Sequence, residues 1–403
     1  MPENNYPYNV EAVYLLHMIS AVLNSKELNP PEQPVDWNIM LKLAHKHQVE
    51  VLLYYGIMKL PPEKRPQPEI FAKILQHFQV AAARDAAQQA EVTVIFDTLE
   101  AEKLDAAILK GFFMKGFYPS PEMRQMCDLD FLLRSYNDRK KIDKIMSEKL
   151  DYSIVYREQG MYGEYIKKPF LYVDFTDCLI PPTYPAHKYF ADVWSRMIKR
   201  DGYSHSYQMN PEDFYIYMLA HTAKHYINGG IGLRYCMDLY VFHKKFPNII
   251  KNKNVKRTLN KLGLTDFRKK LLDLSYSWFS DPTDKILTDD VFAYIMRCGV
   301  YGRKDVVNAN KYLKNGRGRV GFFFNKIFPS SSYMKDVFPF LHKVPFLIPV
   351  MWVVNWFRVL LMHPSKVSKA IHDSKDVDMK TVAEADRINQ KMGIALKNGF
   401  TDH

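Results

Sequence analysis

The chain has 403 residues, of which 47% are hydrophobic and 25% are charged, and 56 Lys and Arg outnumber 44 Asp and Glu. This composition excludes fibrous and intrinsically disordered proteins, and the length predicts about two to three domains. The formal charge of +12 favours anionic partners such as nucleotides, nucleic acid or a membrane surface.

The first 95 residues are predicted to form an N-terminal helical region. Apolar residues recur at three-and-four spacing in three segments separated by proline-rich turns. These segments are 10–23, 37–58 and 69–99. The chain begins Met-Pro-Glu-Asn-Asn, without a basic region followed by an apolar core, so we expect no secretory signal and a cytoplasmic protein.

Residues 96–207 have a different pattern, which predicts an α+β core. Short apolar runs predict strands at 106–109, 127–133, 152–156 and 171–177. Helices are predicted between them at 111–117 and 137–149.

Asp128 and Asp130 lie one residue apart in the predicted strand 127–133. Side chains alternate along a strand, so both carboxylates project from one face while Leu129 and Phe131 face the other. Neighbouring carboxylates repel unless a cation lies between them, and oxygen ligands suit hard ions such as Mg²⁺ or Mn²⁺. Isolated Asp-x-Asp pairs are also common on solvated loops, so the surrounding residues must decide between a metal site and a loop.

Two neighbouring segments favour the metal site. Lys110-Gly111 follows the apolar run 106–109, and a glycine in such a turn lets a phosphate approach the backbone. Asp174 lies in the middle of the short apolar run 171–175 and is the candidate for a third carboxylate.

The order of strand, glycine turn, helix and Asp-x-Asp strand resembles the nucleotidyltransferase fold of the DNA polymerase beta type. The resemblance extends, over most of the chain, to a little-characterised bacterial nucleotidyltransferase family. Five segments carry it: Asp36-Trp37 with residues 43–47; Leu109-Lys110-Gly111 with Tyr118-Pro119, Arg124 and Asp128-Leu129-Asp130; the strand around Asp174; residues 221–238; and Phe328-Pro329-Ser330.

The resemblance implies an α+β fold in which a small mixed β-sheet nucleotidyltransferase core is flanked by N-terminal and C-terminal helical regions. It implies metal-dependent transfer of a nucleoside monophosphate from a nucleoside triphosphate to an unidentified small molecule, sugar phosphate or protein. Asp128, Asp130 and Asp174 would hold Mg²⁺ or Mn²⁺, and Asp174 would take the acceptor proton. The residues implied to contact the nucleotide or its phosphates are Lys110, Gly111, Arg124, His221, His225 and Arg234.

The phosphate turn departs from the pattern of this fold. The usual Gly-Ser pair is replaced by Lys110-Gly111 followed by Phe112, so the serine hydroxyl that would contact the phosphates is missing. Three interpretations remain open. Lys110 substitutes as a point charge, or the phosphates bind differently, or activity has been lost and the chain is a catalytically degenerate nucleotide-binding regulator.

Other potential zinc ligands are not expected to hold a metal. His221 and His225 are one helical turn apart but have no third ligand nearby, and they also fit a packed pair with satisfied ring nitrogens. The four cysteines lack the spacing of a zinc site or a disulfide framework, so they are predicted to be reduced core thiols. They are Cys127, Cys178, Cys236 and Cys298.

A second helical region is predicted at 208–364, followed by a charged, partly disordered tail at 365–403. The basic clusters at 251–257 and 311–319 are interpreted as solvated helix ends and loops, so nucleic acid is not expected as a partner.

The apolar segment 344–362 is interrupted by prolines near its start and by Asn355 and Arg358. Its uncharged part is shorter than the roughly 20 residues that span a bilayer. A buried helix is therefore the favoured interpretation. Peripheral contact with a membrane surface is the alternative, which would make the chain a membrane-surface or interaction protein.

Overall fold

The computed structural model describes residues 9–155, 164–182, 184–315, 328–329, 331–362, 378–394 and 396. These ranges omit, wholly or in part, several predicted features: the first five residues, residue 156 of the predicted strand 152–156, residues 316–319 of the basic cluster 311–319, Ser330 and most of the tail 365–403. The described residues form one mixed sheet surrounded by helices, as the sequence predicted.

Four helices precede the sheet, and the predicted helix 37–58 is two helices rather than one. Gln48 has a left-handed backbone with φ of 54°, which ends one helix before the next begins. Asp36 caps the first of this pair by accepting hydrogen bonds from the backbone N–H groups of Asn38 and Ile39. The bounds are α1, Asn9–Leu23; α2, Trp37–His47; α3, Glu50–Met58; and α4, Pro68–Ala101.

The sheet has seven strands in the order β3-β4-β5-β2-β1-β7-β6. Its strands are β1, Ala106–Ile108; β2, Asp128–Leu133; β3, Ser153–Val155; β4, Glu164–Lys167; β5, Leu171–Thr176; β6, Ile198–Lys199; and β7, Ser206–Gln208. Strand β2 runs parallel to β5, and β1 runs parallel to β7, while the other neighbours are antiparallel.

The four predicted strands are present, whereas β4, β6 and β7 were not predicted. These three strands have only two to four residues each, and charged residues flank the apolar positions of β4. The remaining helices of this part are α5, Lys110–Lys115; α6, Arg139–Lys144, which continues as a π-helical turn over Ile145–Lys149; and α7, Ala186–Phe190.

Side chains on one face of the sheet are buried beneath α4 and α6. Leu129, Phe131 and Val173 pack there against Phe96 of α4 and Ile142 of α6. Alternation along the strands therefore directs Asp128, Asp130 and Asp174 to the opposite face.

The C-terminal helices are α8, Pro211–Ile227; α9, Leu233–Lys245; α10, Lys253–Lys261; α11, Thr265–Phe279; α12, Asp290–Cys298; α13, Lys304–Asn315; α14, Ser331–Val337; α15, Ile348–Met362; and α16, Met379–Lys391. Helices α8 to α12 share one hydrophobic core with α1 to α3. The two helical regions are thus joined through packing, for example where Ser20 Oγ donates to the carbonyl oxygen of Ser280 at 3.1 Å.

The predicted tail contains a packed helix. In α16, Val382 and Ala385 pack on Ala309 of α13, and Asn389 Nδ2 donates to Asn310 Oδ1 at 2.9 Å. Residues 378–394 are therefore an ordered part of the tail, because α16 has an apolar face that α13 covers. The rest of the tail, apart from Leu396, lies outside the described residues.

Helix α15 is buried on one side only. Ile348 packs against Met334 and Leu341, whereas Phe357 of the helix is 60% exposed and Phe346, in the 3-10 turn Pro345–Leu347 just before it, is 76% exposed. The expectation of a buried helix is wrong for this second side, because the part of the chain that the structure describes brings no element against it. Among the described residues, no helix has both the length and the apolar character needed to cross a membrane.

Candidate functional site

Asp128 and Asp130 of β2 lie beside Asp174 of β5. The two strands are parallel, and their register makes Asp130 and Asp174 direct neighbours. One carboxylate oxygen from each of the three residues lies within 4.8 Å of the others. The structure therefore brings together the three acidic residues that the sequence singled out.

The electrostatics of this acidic group favour a bound cation. Burial raises the pKa of Asp130, and the charge of Asp128 raises it further, while Lys110 acts in the opposite direction. A raised pKa means that the ionised carboxylate is disfavoured in this environment, and a nearby divalent ion reverses that preference. The donor set consists of oxygen atoms, which fits Mg²⁺ or Mn²⁺.

Lys110 is the first residue of α5 and supplies a positive charge next to the acids. Its Nζ lies 3.3 Å from Asp130 Oδ2 and 3.0 Å from His221 Nε2. The positive charge of Lys110 is therefore in direct contact with the acidic group.

His221 and His225 of α8 form a hydrogen-bonded pair beside Lys110, with 3.1 Å between their Nε2 atoms. The acceptor nitrogen of a neutral imidazole has one lone pair, so His221 Nε2 accepts from Lys110 or from His225 but not fully from both. Burial, followed by the charge of Lys110, lowers the pKa of His221 well below its usual value. Burial and the charge of Lys224 lower the pKa of His225 to about 3. These neutral rings can position Lys110, but they bring no charge to a phosphate.

Arg124 is held by an ion pair with Asp238 of α9. Its Nε and Nη2 donate to the two carboxylate oxygens, each at 2.8 Å, and Tyr118 donates to the same carboxylate. Both charged side chains are buried. The ion pair occupies two of the three guanidinium nitrogens and leaves Nη1 nearest to Gly111.

Gly111 lies where the surrounding side chains leave little room for a larger residue. A Cβ at this position would lie 3.0 Å from Met126 Cε and 3.2 Å from Arg124 Nη1. The sequence argument considered the phosphate only, since neither neighbour can be recognised from spacing along the chain.

A cavity of about 330 Å³ opens beside the acids, which is within the size range of small-molecule sites. Its walls include Asp128 and Asp130, the cations Lys110 and Arg234, and His225. Asp174 is grouped with the other acids but does not line this cavity.

Sequence reasoning missed Gln48 and Tyr301, which complete the cavity around Arg234. Arg234 Nη1 donates to Gln125 O at 2.9 Å and to Gln48 Oε1, while Gln48 Nε2 donates to Tyr301 Oη at 2.6 Å. Tyr301 is 80% exposed and lines the cavity. No sequence signal identifies these residues, because one ends a helix, the other lies in a turn, and they meet only in the fold.

The prediction that Cys127 is a core thiol is wrong. It is exposed and lines the cavity, with its Sγ 3.6 Å from Tyr301 Oη, so it is not a core thiol. It ends up outside the core because it directly precedes β2 at the end that carries Asp128. Cys236 and Cys298 are buried as predicted, and Cys178 is partly buried.

These residues can together accommodate an anionic ligand with a hard cation. The carboxylates offer metal ligands, Lys110 and Arg234 offer charge for phosphate oxygens, and Tyr301 offers a surface on which a base can stack. A nucleoside triphosphate has each of the matching groups.

Comparison with known proteins identifies one family. A family model described as "Uncharacterised nucleotidyltransferase" matches residues 33–280, which is more than half of the chain. Searches of curated proteins and of solved structures found no match.

Proposed function

Because the chain belongs to the family of uncharacterised nucleotidyltransferases, we propose that it moves a nucleoside monophosphate from a nucleoside triphosphate to an acceptor. The observation that carries the proposal is the parallel register of β2 and β5, which places Asp130 beside Asp174. A cavity lined by the cationic side chains of Lys110 and Arg234 lies next to them. The acceptor we propose is a small molecule, a sugar phosphate or a protein rather than nucleic acid.

Asp128, Asp130 and Asp174 would hold Mg²⁺ or Mn²⁺. Bound there, the ion would neutralise triphosphate charge and make the acceptor hydroxyl more acidic. Asp174 takes the hydroxyl proton as the acceptor oxygen forms its bond to the α-phosphorus and the bond to pyrophosphate breaks. The close grouping of the three carboxylates supports this proposal, because the transfer requires two roles of them, metal binding and proton acceptance.

Lys110 binds phosphate oxygens by leaving Asp130 when the ligand enters. The distance of 3.3 Å between Lys110 Nζ and Asp130 Oδ2 supports this proposal, because it places the ammonium directly beside the acids that would hold the metal. Arg234 binds the phosphates from the opposite wall, and Tyr301 stacks on the base. Gly111 and Arg124 shape the turn, and His221 and His225 position Lys110.

The test is an assay with nucleoside triphosphates labelled at the α-phosphate, with metal, and with water or mixed small-molecule and protein acceptors. We expect the wild-type protein to release pyrophosphate and to transfer the label, and Asp174→Asn to bind nucleotide without transfer. Asp201→Asn is the matched control, because Asp201 is exposed on the turn between β6 and β7. Binding without pyrophosphate release by the wild-type protein would favour the degenerate regulator.

A second candidate function is attachment to a membrane surface through residues 344–362. The exposed side chains of Phe346, Val350 and Phe357 form an apolar stripe at helical spacing, and the net positive charge favours anionic lipid. Sedimentation with anionic vesicles tests it, with Phe346→Ser/Phe357→Ser as the variant. Equal sedimentation of the variant and the wild-type protein would reject this role for the segment.

A further inference from the structure

A second cluster of potential metal ligands lies where α2, α3 and α4 meet. His45 comes from the last turn of α2, Glu50 is the first residue of α3, and His77 lies on α4. One ligand atom from each residue lies within 4.8 Å of the others. This cluster shares no residue with the acidic group at Asp128.

The geometry fits one small ion with little movement. Glu50 Oε1 is 2.7 Å from His45 Nδ1 and 3.7 Å from His77 Nδ1. Atoms bound to one tetrahedral zinc ion are roughly 3.4 Å apart, because the bonds are about 2.0–2.1 Å long. The two observed separations lie on either side of that value.

An ion pair between Glu50 and His45 leaves one feature of Glu50 unexplained, namely its second carboxylate oxygen. Its side chain is 4% exposed, and its second oxygen, Oε2, is buried without a hydrogen-bond partner among the described residues. Buried carboxylate oxygens are normally paired, because a lone one loses its hydration without compensation. A hydrogen bond from His45 accounts for Oε1 alone, whereas a metal ion held by both carboxylate oxygens would account for Oε2 as well and for the approach of His77.

The surroundings allow an ion to enter. The side chains of His45 and His77 are 70% and 40% exposed, so the cluster is open on the imidazole side and closed on the carboxylate side. A fourth position is thus available to water, which completes a tetrahedron.

We propose that His45, Glu50 and His77 bind one zinc ion that ties α2 and the start of α3 to α4. Two imidazoles and a carboxylate suit zinc, whereas the oxygen-only group at Asp128 suits magnesium, so the two sites select different ions. The ion stabilises the turn between α2 and α3. Gln48 lies in this turn, and its side chain forms hydrogen bonds with Arg234 and Tyr301. The site does not depend on the proposed transferase activity.

The test measures zinc in untagged, full-length protein that has been stripped with chelator and then dialysed against Zn²⁺ in excess Mg²⁺. The excess magnesium competes with zinc for the oxygen ligands of the acidic group. We expect one zinc per chain in the wild-type protein and none in His77→Gln or Glu50→Gln. His17→Gln is the matched control, because it removes an imidazole from α1 outside the cluster and should keep the zinc.

A second readout separates ligation from a folding defect. Cobalt in a tetrahedral site absorbs strongly in the visible range, so the wild-type protein and His17→Gln should show this band and His77→Gln should not. Zinc should also raise the melting temperature of the wild-type protein but not that of His77→Gln. Wild-type protein that holds no more zinc than folded His77→Gln, or shows no cobalt band, would overturn the proposal.

Discussion

Lys110 places a positive charge directly beside the negatively charged carboxylates of the site. Its ammonium lies between Asp130 and the neutral His221, so it partly compensates the acids and is close to where phosphates would bind. Replacing it removes one charge-assisted hydrogen bond to phosphate and also a cation that competes with the metal.

We therefore expect Lys110→Met to weaken triphosphate binding about tenfold or more, since such a bond contributes about 1.5–3 kcal/mol. Mg²⁺ should bind the variant at least as well as the wild-type protein. Calorimetric titration with a non-hydrolysable triphosphate checks both, with Lys188→Met, an exposed position on α7, as the control. Unchanged nucleotide affinity in Lys110→Met would show that the lysine does not contact the phosphates.

Cys127 offers a direct report on ligand binding, since it is exposed in the cavity next to Asp128. We expect maleimide to label Cys127 first and a triphosphate with Mg²⁺ to slow this labelling several-fold, because the ligand would cover the thiol. Mass spectrometry measures the rate for each cysteine. Burial raises the pKa of the Cys298 thiol to about 12, so Cys298 is the slow internal reference. Labelling of Cys127 that is indifferent to every triphosphate would contradict this account of the cavity.

The sequence predicted single residues well where their chemistry is local. The pair Asp128 and Asp130 follows from strand alternation, and Asp174 was a correct choice for their neighbour. Tyr301 could not be predicted, because its role depends on a turn from the C-terminal region reaching Gln48. The exposure of Cys127 depends equally on which elements close the cavity.

At the scale of elements, the ion pair between Arg124 and Asp238 fastens the segment before β2 to α9. Removing one partner leaves a buried charge without compensation, so Asp238→Asn should lower the free energy of unfolding by about 3–5 kcal/mol. The combined change Arg124→Met/Asp238→Leu should recover part of this loss, because no charge remains. Urea unfolding measures both variants, and a loss in Asp238→Asn no larger than in Asp201→Asn would contradict the structural role.

Helices were easier to predict than strands. Long segments such as α1 and α4 extend over 15 and 34 residues and contain many apolar positions, whereas β6 has only two residues and is exposed. The break at Gln48 was missed because a residue other than glycine uncommonly adopts the left-handed backbone that ends α2 here.

At the scale of the whole molecule, buried neutral histidines predict how stability depends on pH. Burial, with a contribution from Lys46, lowers the pKa of His47 to about 3, against about 6.5 in an unfolded chain. Between these values the unfolded chain binds a proton that the folded chain does not, so stability is complete above pH 6.5 and falls as the pH decreases. The slope approaches about 1.4 kcal/mol per pH unit for one such group.

We expect His47→Gln to reduce this slope, even if it costs some stability at neutral pH because Leu233 N donates to His47 Nδ1. Urea unfolding between pH 7.5 and 5 measures it, with the partly exposed His17→Gln as the control. The same slope in His47→Gln and the wild-type protein would contradict the assignment.

The arrangement of the whole chain was only partly predictable. Composition and periodicity indicated a sheet core between helical regions, and the structure agrees. The shared core of α1 to α3 with α8 to α12 arises from contacts between distant parts of the sequence, which no local pattern encodes.

We propose that the acidic group of Asp128, Asp130 and Asp174 and the adjacent cavity form one metal-dependent nucleotide site. The most direct test is a thermal-shift panel of ATP, GTP, CTP and UTP, with and without Mg²⁺ or Mn²⁺, on the wild-type protein, Asp130→Asn and Asp201→Asn. A ligand at 100 times its dissociation constant stabilises the folded state by about 2.7 kcal/mol. We predict that at least one triphosphate raises the melting temperature of the wild-type protein and of Asp201→Asn only with metal, and that Asp130→Asn does not respond. No shift with any triphosphate, or an equal shift in Asp130→Asn, would contradict the claim.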